Sequence, residues 1–240
     1  MQILKKSKIV SYLILFSLII VGIGILFTTD EYSYYLSLGD YVSNYVMVDD
    51  VKVESFTDMV GDYLINEDKV AEHKSDYVSN NMTSKKLLEM IEGNVYNNEG
   101  SGLVGEIKKS KYVTITLGIN DVLNYIKYDS ISDKLIYDEE ILKEKINVFK
   151  HNYYNIVNEI KDINKESNVM LVGTYSIYGD NVVSNLLNDA IKDVSINYNC
   201  HFIDVSDIGD NYLYMSNKLY LNGMGQEVIT NKVIAKINEI

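Results

Sequence analysis

The chain contains no proline, no tryptophan and a single cysteine. Without proline, its turns have to be made by Gly, Asn, Asp and Ser. One thiol, Cys200, can build neither an internal disulfide nor a zinc cluster, and a free cysteine of this kind reads as a small, inert core side chain. Basic residues are also few: 22 Lys and Arg stand against 34 Asp and Glu, for a formal net charge of -12. Like-charge repulsion therefore argues against nucleic acid and anionic lipid headgroups as ligands. Histidine is limited to His73, His151 and His201. No two of them stand at i, i+4, so no metal-ligand spacing is present. The stretch Gly100-Ser101-Gly102-Leu103-Val104-Gly105 is rich in glycine but follows no strand pattern, so it is not a phosphate loop. No cofactor is implied.

What is present is 240 residues, 47% hydrophobic, with 21 tyrosines. That is enough chain for one globular domain with a packed core. Residues 9–27, IVSYLILFSLIIVGIGILF, carry no charge. As a helix they would span roughly 28 Å, close to the hydrocarbon thickness of a bilayer. Lys5, Lys6 and Lys8 precede them and Asp30-Glu31 follow. The expectation is a cytoplasmic tail at 1–8, an anchor in the lipid bilayer at 9–27 and a domain outside at 31–240. A cleaved signal peptide is the alternative. It calls for a shorter apolar region and a small-x-small site, which Leu26-Phe27-Thr28-Thr29 does not offer.

Beyond that segment, apolar runs alternate with helical periodicity. Strands are predicted at 34–38, weakly at 76–79, at 112–117, at 169–172 and at 200–205. Helices are predicted at 54–65, 83–91, 103–107, from Asp138 through Ile163, at 183–194, and at the C-terminal end through Val228, Val233 and Ile237. Asp138 has N-cap character, with Glu139 and Glu140 behind it. Buried strands with helices between them imply an α/β fold: a doubly wound, parallel, five-stranded sheet in three α/β/α layers. In such sheets the ligand crevice lies beyond the carboxyl ends of the strands.

Three stretches stand at those ends: LSLGDY (36–41), TLGIND (116–121) and NKLYLNGMG (217–225). Together, in this order on these elements, they resemble the SGNH (GDSL-like) hydrolase superfamily from about Tyr34 to Ile240. The resemblance implies a flavodoxin-like fold and a serine nucleophile after Gly39-Asp40. It also implies an oxyanion hole made by an Asn and a Gly, and an Asp-x-x-His pair before the last helix. Matched residue by residue, Gly39, Asp40, Gly118, Asn120 and Asp121 agree. Tyr41 stands at the serine position, Asn217 at the Asp, Tyr220 at the His, and Asn81, on a loose alignment, at the oxyanion Gly.

The chemistry of those replacements points away from acyl transfer. A phenol with an ordinary pKa of about 10 lacks the matched base that a nucleophile needs. Tyr220 cannot act as that base, and Asn217 carries no charge to orient one. A tyrosine nucleophile in an esterase or deacetylase acting on acylated cell-envelope glycans or lipids stays open as an alternative. So do an Asp40–Asp121 acid–base pair, whose plainer use is turn capping, and a partner-binding scaffold. None of the three histidines, nor Ser37, Ser43 or Ser216, is placed by pattern to substitute. The expected site is a pocket of Tyr41, Asn120, Tyr220, Tyr175 and Tyr178, whose rings and hydroxyls suit a cell-envelope carbohydrate.

Overall fold

The computed structural model describes residues 33–44, 46–48 and 51–240. The expected tail at 1–8 and anchor at 9–27 lie outside the described residues. Among the described residues no helix is long and apolar enough to cross a membrane.

Five parallel strands form the central sheet: β1 (Tyr34–Gly39), β4 (Glu72–Lys74), β5 (Ser110–Thr116), β8 (Asn168–Val172) and β9 (His201–Ile203). Their spatial order is β4-β1-β5-β8-β9. Counting only these five, that is 2-1-3-4-5, the flavodoxin-like order, with its switch point between β1 and β5. The expected five-stranded, doubly wound sheet is therefore present. Helices cover both faces. On one side α1 (Phe56–Asn66) packs against α7 (Gly223–Glu239). On the other, α5 (Glu139–Ile163) lies between α2 (Ser84–Glu92) and α6 (Asn181–Asn197), with α3 (Leu103–Lys109) alongside. A single turn, α4 (Ile119–Val122), follows β5.

The reasons for the long helix can be read along it. Asp138 Oδ1 accepts from the backbone N–H groups of Glu140 (2.9 Å) and Ile141 (3.0 Å), closing the amino end. Leu142, Ile146, Phe149, Tyr153, Ile156, Val157 and Ile160 then recur on one stripe, and all are buried. Each such side chain contributes roughly 1.5–3 kcal/mol of transfer free energy. On the opposite face, buried Gln226 joins α7 to the beginning of the domain. Its Oε1 accepts from Phe56 N at 2.9 Å, and its Nε2 donates to Val42 O at 3.5 Å.

The structure corrects the sequence reading in several places. The second strand is Glu72–Lys74, not 76–79. Residues 76–79 run past the end of β1, and Val78 makes only an isolated bridge to Gly39. As an edge strand, Glu72–Lys74 is polar, Glu-His-Lys, and so lacks the apolar pattern of a buried strand. Two hairpins were also missed, β2 (Val46–Val48) with β3 (Val51–Val53), and β6 (Ile126–Asp129) with β7 (Lys134–Tyr137). Cys200 lies just before β9 and is half-buried rather than a core residue. Burial still pushes its thiol up to about 11, so it is a poor nucleophile at neutral pH.

Candidate functional site

The site grows out of the contact between β1 and β5. Gly39 has φ +136, and a Cβ built on it would fall 2.2 Å from Thr116 O. Only glycine fits where the two strands run this close. The next residue is locked in place: Asp40 N donates to Thr116 O at 3.0 Å, and Asp40 Oδ1 accepts from Val42 N at 3.1 Å. Ser43 Oγ lies 2.7 Å from Thr116 Oγ1 and closes the same turn. Asp40 is buried, and burial pushes its carboxyl up to about 7, only partly offset by these hydrogen bonds.

Tyr41 fills the position that follows. It is 5% exposed, and its ring meets that of Tyr220 edge to face, with centroids 5.2 Å apart at 83°. Residues 179 positions apart in the chain are thus brought into contact, as the block order predicts. Tyr175 is also buried, and its hydroxyl lies beside that of Tyr41. The Tyr175 hydroxyl donates to Leu219 O at 3.0 Å, and Tyr41 Oη has no hydrogen-bond partner among the described residues. Burial, then the neighbouring Tyr175 and Asp40, raise the Tyr41 phenol well above its ordinary value. Burial at this position thus favours the neutral phenol over the phenolate.

Asn120 would supply the side-chain donor of an oxyanion hole. Its Nδ2 instead donates to Asn80 O at 2.8 Å and to Met82 O at 2.9 Å. Both amide hydrogens are therefore used to hold the 80–82 loop against α4. Asn81, between those two carbonyls, is exposed. Asp121 is equally occupied. It accepts from Ser84 N (3.0 and 3.1 Å) and from Ser84 Oγ (2.5 Å), capping α2. Burial pushes it up to about 6. Both Asp40 and Asp121 thus serve as capping groups. Gly118 has φ +132 and sits against Phe149 and Leu187. In the C-terminal block, Asn217 Oδ1 accepts from Leu219 N (2.8 Å) and Tyr220 N (2.9 Å), forming the turn that presents Tyr220. Tyr220 is 37% exposed. Of the expected pocket residues, Tyr41 and Tyr175 are buried, Tyr220 is 37% exposed, and Tyr178 lines an open cavity together with Asn217 and Lys218.

One Ser–His–carboxylate arrangement does occur, where sequence pattern did not place it. Ser37 Oγ lies 2.8 Å from His73 Nε2, and His73 Nδ1 lies 3.9 Å from Asp58 Oδ1. The pairing of Glu72–Lys74 with β1 brings it together. Ser37 is fully buried within β1, and the His73 ring stacks on Tyr35 at 4.7 Å. With no access for a substrate, this is core packing. His151 and His201 take no part in the crevice: His151 is exposed on α5 and His201 opens β9.

No family model and no curated protein matches the chain. Solved structures do. A lipase from a goat rumen metagenome superposes with a TM-score of 0.63 at 19% identity, covering 85% of this chain and 96% of that one. A mutant of an acetyl-xylooligosaccharide esterase from Geobacillus gives 0.62 at 15% identity, covering 85% and 94%. A psychrotrophic esterase from Pseudoalteromonas gives 0.60 at 18% identity, covering 86% and 97%. The element order, the crevice at the β1/β5 switch point and these likenesses agree: the chain has the fold of the SGNH (GDSL-like) lipases and esterases.

Proposed function

We propose that this domain works by binding rather than by serine-ester hydrolysis. We further propose that residues 9–27 anchor it in the membrane with residues 31–240 outside, where its ligand is a carbohydrate of the cell envelope. The observation that carries the first part is the use of Asn120. Oxyanion stabilisation needs donors that are free and aimed at the developing charge. Here both donor hydrogens already serve Asn80 O and Met82 O. The neutral, buried Tyr41 and the turn-forming Asn217 support the same reading. The acetyl-xylooligosaccharide esterase among the structural neighbours supports a glycan as the ligand class.

The test is an esterase assay of the purified protein on aryl acetates and acetylated glycans, beside the Tyr41→Phe variant. The expected result is no turnover above buffer for either protein. Turnover that disappears in Tyr41→Phe would establish a tyrosine-based esterase and overturn the proposal. Protease protection of the chain in sealed vesicles tests the anchor; a domain digested only from the cytoplasmic side refutes the orientation.

A further inference from the structure

Next to the turn that presents Tyr220 lies an open cavity of about 400 Å³, within the ordinary size range of small-molecule sites. Its walls come from three places: Asp133 from the β6–β7 hairpin, Tyr178 from the turn after β8, and Asp210, Tyr212, Asn217 and Lys218 from the segment between β9 and α7. We propose that this cavity, and not the crevice around Tyr41, is the ligand site, and that it takes a neutral pyranose-based glycan. The inference rests on the binding reading above and relocates the site.

The first support is the conformation of Tyr178. It has φ +53, in the region that favours glycine, within a turn closed by an Ile177–Asp180 bridge. Asn or Asp is the residue that such a turn prefers. A bulky aromatic held there is backbone strain of the kind that collects at ligand sites. The strain is held by Tyr178 N donating to Lys218 O at 2.7 Å, and by Tyr128 stacked on the ring at 4.7 Å and 17°. The result is a flat, backed aromatic wall. Tyr212, 83% exposed, sets a second ring in the cavity lining. Aromatic faces of this kind pack against the C–H faces of a pyranose, and their hydroxyls hydrogen-bond.

The polar groups fit the same ligand. Asp210 is oriented by Ser176 Oγ (2.7 Å) and Asn181 Nδ2 (3.2 Å), leaving carboxylate lone pairs for sugar hydroxyls. The Nδ2 hydrogens of Asn217 have no partner among the described residues, because only its Oδ1 is engaged. Lys218 bridges to Asp133 and to Tyr128 Oη, tying the hairpin to the opposite wall. Two carboxylates against one ammonium leave the lining negative, on a chain of net charge -12. That disfavours phosphorylated or uronic-acid glycans.

The experiment is isothermal titration of the full chain, in a detergent without a sugar headgroup, with xylotetraose, chitotetraose and tetragalacturonate. At least one neutral tetrasaccharide is expected to bind about tenfold or more tighter than tetragalacturonate. Tyr212→Ala, which removes an exposed ring, and Asp210→Asn are each expected to weaken that binding about tenfold, while Tyr220→Ala changes it less than about twofold. Thermal melts confirm that each variant is folded. Binding that survives Tyr212→Ala and Asp210→Asn but is lost in Tyr220→Ala returns the site to the crevice and overturns this inference, leaving the binding reading standing. Tighter binding of tetragalacturonate overturns the ligand class. No binding of any probe at about 10 mM overturns the inference and removes its basis in the binding reading. Ester turnover, by contrast, would refute the non-catalytic reading alone.

Discussion

Replacing Asp40 with Asn should make the domain more stable as the solution becomes more alkaline. Asp40 is buried, and its carboxyl is raised from 3.8 to about 7. A raised folded-state pKa means that the native state prefers the protonated form. The stabilisation is fully present below about pH 3.8, and it is lost as pH rises through about 7. With about 1.4 kcal/mol per unit of pKa difference, a rise of roughly three units amounts to about 4 kcal/mol. Asparagine keeps the oxygen that accepts from Val42 N and is nearly the same shape, but it does not ionise. The informative quantity is therefore the stability of Asp40→Asn minus that of the wild type, from urea unfolding across about pH 3 to pH 8. The difference should be near zero at about pH 3, climb by about 1.4 kcal/mol per pH unit and level off near 4 kcal/mol above about pH 8. Subtraction removes the separate contribution of His73, while the neighbouring Asp121, whose charge helps to raise Asp40, shapes the curve as its own carboxyl titrates near about 6. A difference curve that is flat with pH would refute the argument that burial at this turn controls the carboxyl.

Three further outcomes follow from the same structure. Burial lowers the His73 pKa below 6.5, so the unfolded chain takes up a proton that the folded chain resists; stability is full above about pH 6.5 and falls on acidification, and His73→Gln should flatten that acid limb in urea titrations. Asn120→Ala should cost about 1–3 kcal/mol of unfolding free energy, because it strands the carbonyls of Asn80 and Met82; an unchanged urea midpoint would show that the loop does not depend on it. Glu106 is 4% exposed and its Oε2 has no hydrogen-bond partner among the described residues, so Glu106→Met, which removes that buried oxygen, should raise the thermal midpoint by the equivalent of about 1–3 kcal/mol when followed by calorimetry.

The parts of the fold legible in the sequence were those whose pattern is local. YVTITL reads as a buried strand because both faces of β5 are covered, and α5 announces itself by a capped apolar stripe. The edge strand Glu72–Lys74 gave no such signal, since its identity lies in its pairing with Tyr34–Leu36 and not in its composition. The β6–β7 hairpin turns through Ser130 to Asp133 without Pro or Gly, so the usual punctuation was missing. At the crevice, the order of the blocks was enough to foresee Tyr41 next to Tyr220. What local pattern could not carry was the fate of individual hydrogen bonds. That Asn120 spends both its hydrogens on a loop some forty residues earlier, and that Tyr41 is buried against Tyr220, are consequences of packing between distant segments.

The Gln226 link also bears on how the chain comes to fold. It joins Phe56 to a residue 170 positions later, and α7, which carries it, is the helix that lies against α1. While the polypeptide emerges from the ribosome, the apolar side of α1, with Phe56, Val60 and Leu64, stays uncovered until α7 has been made. Pairing over so long a separation is slow. Completion of this domain therefore waits on the synthesis of α7, and a nascent chain would need the apolar side of α1 shielded until then.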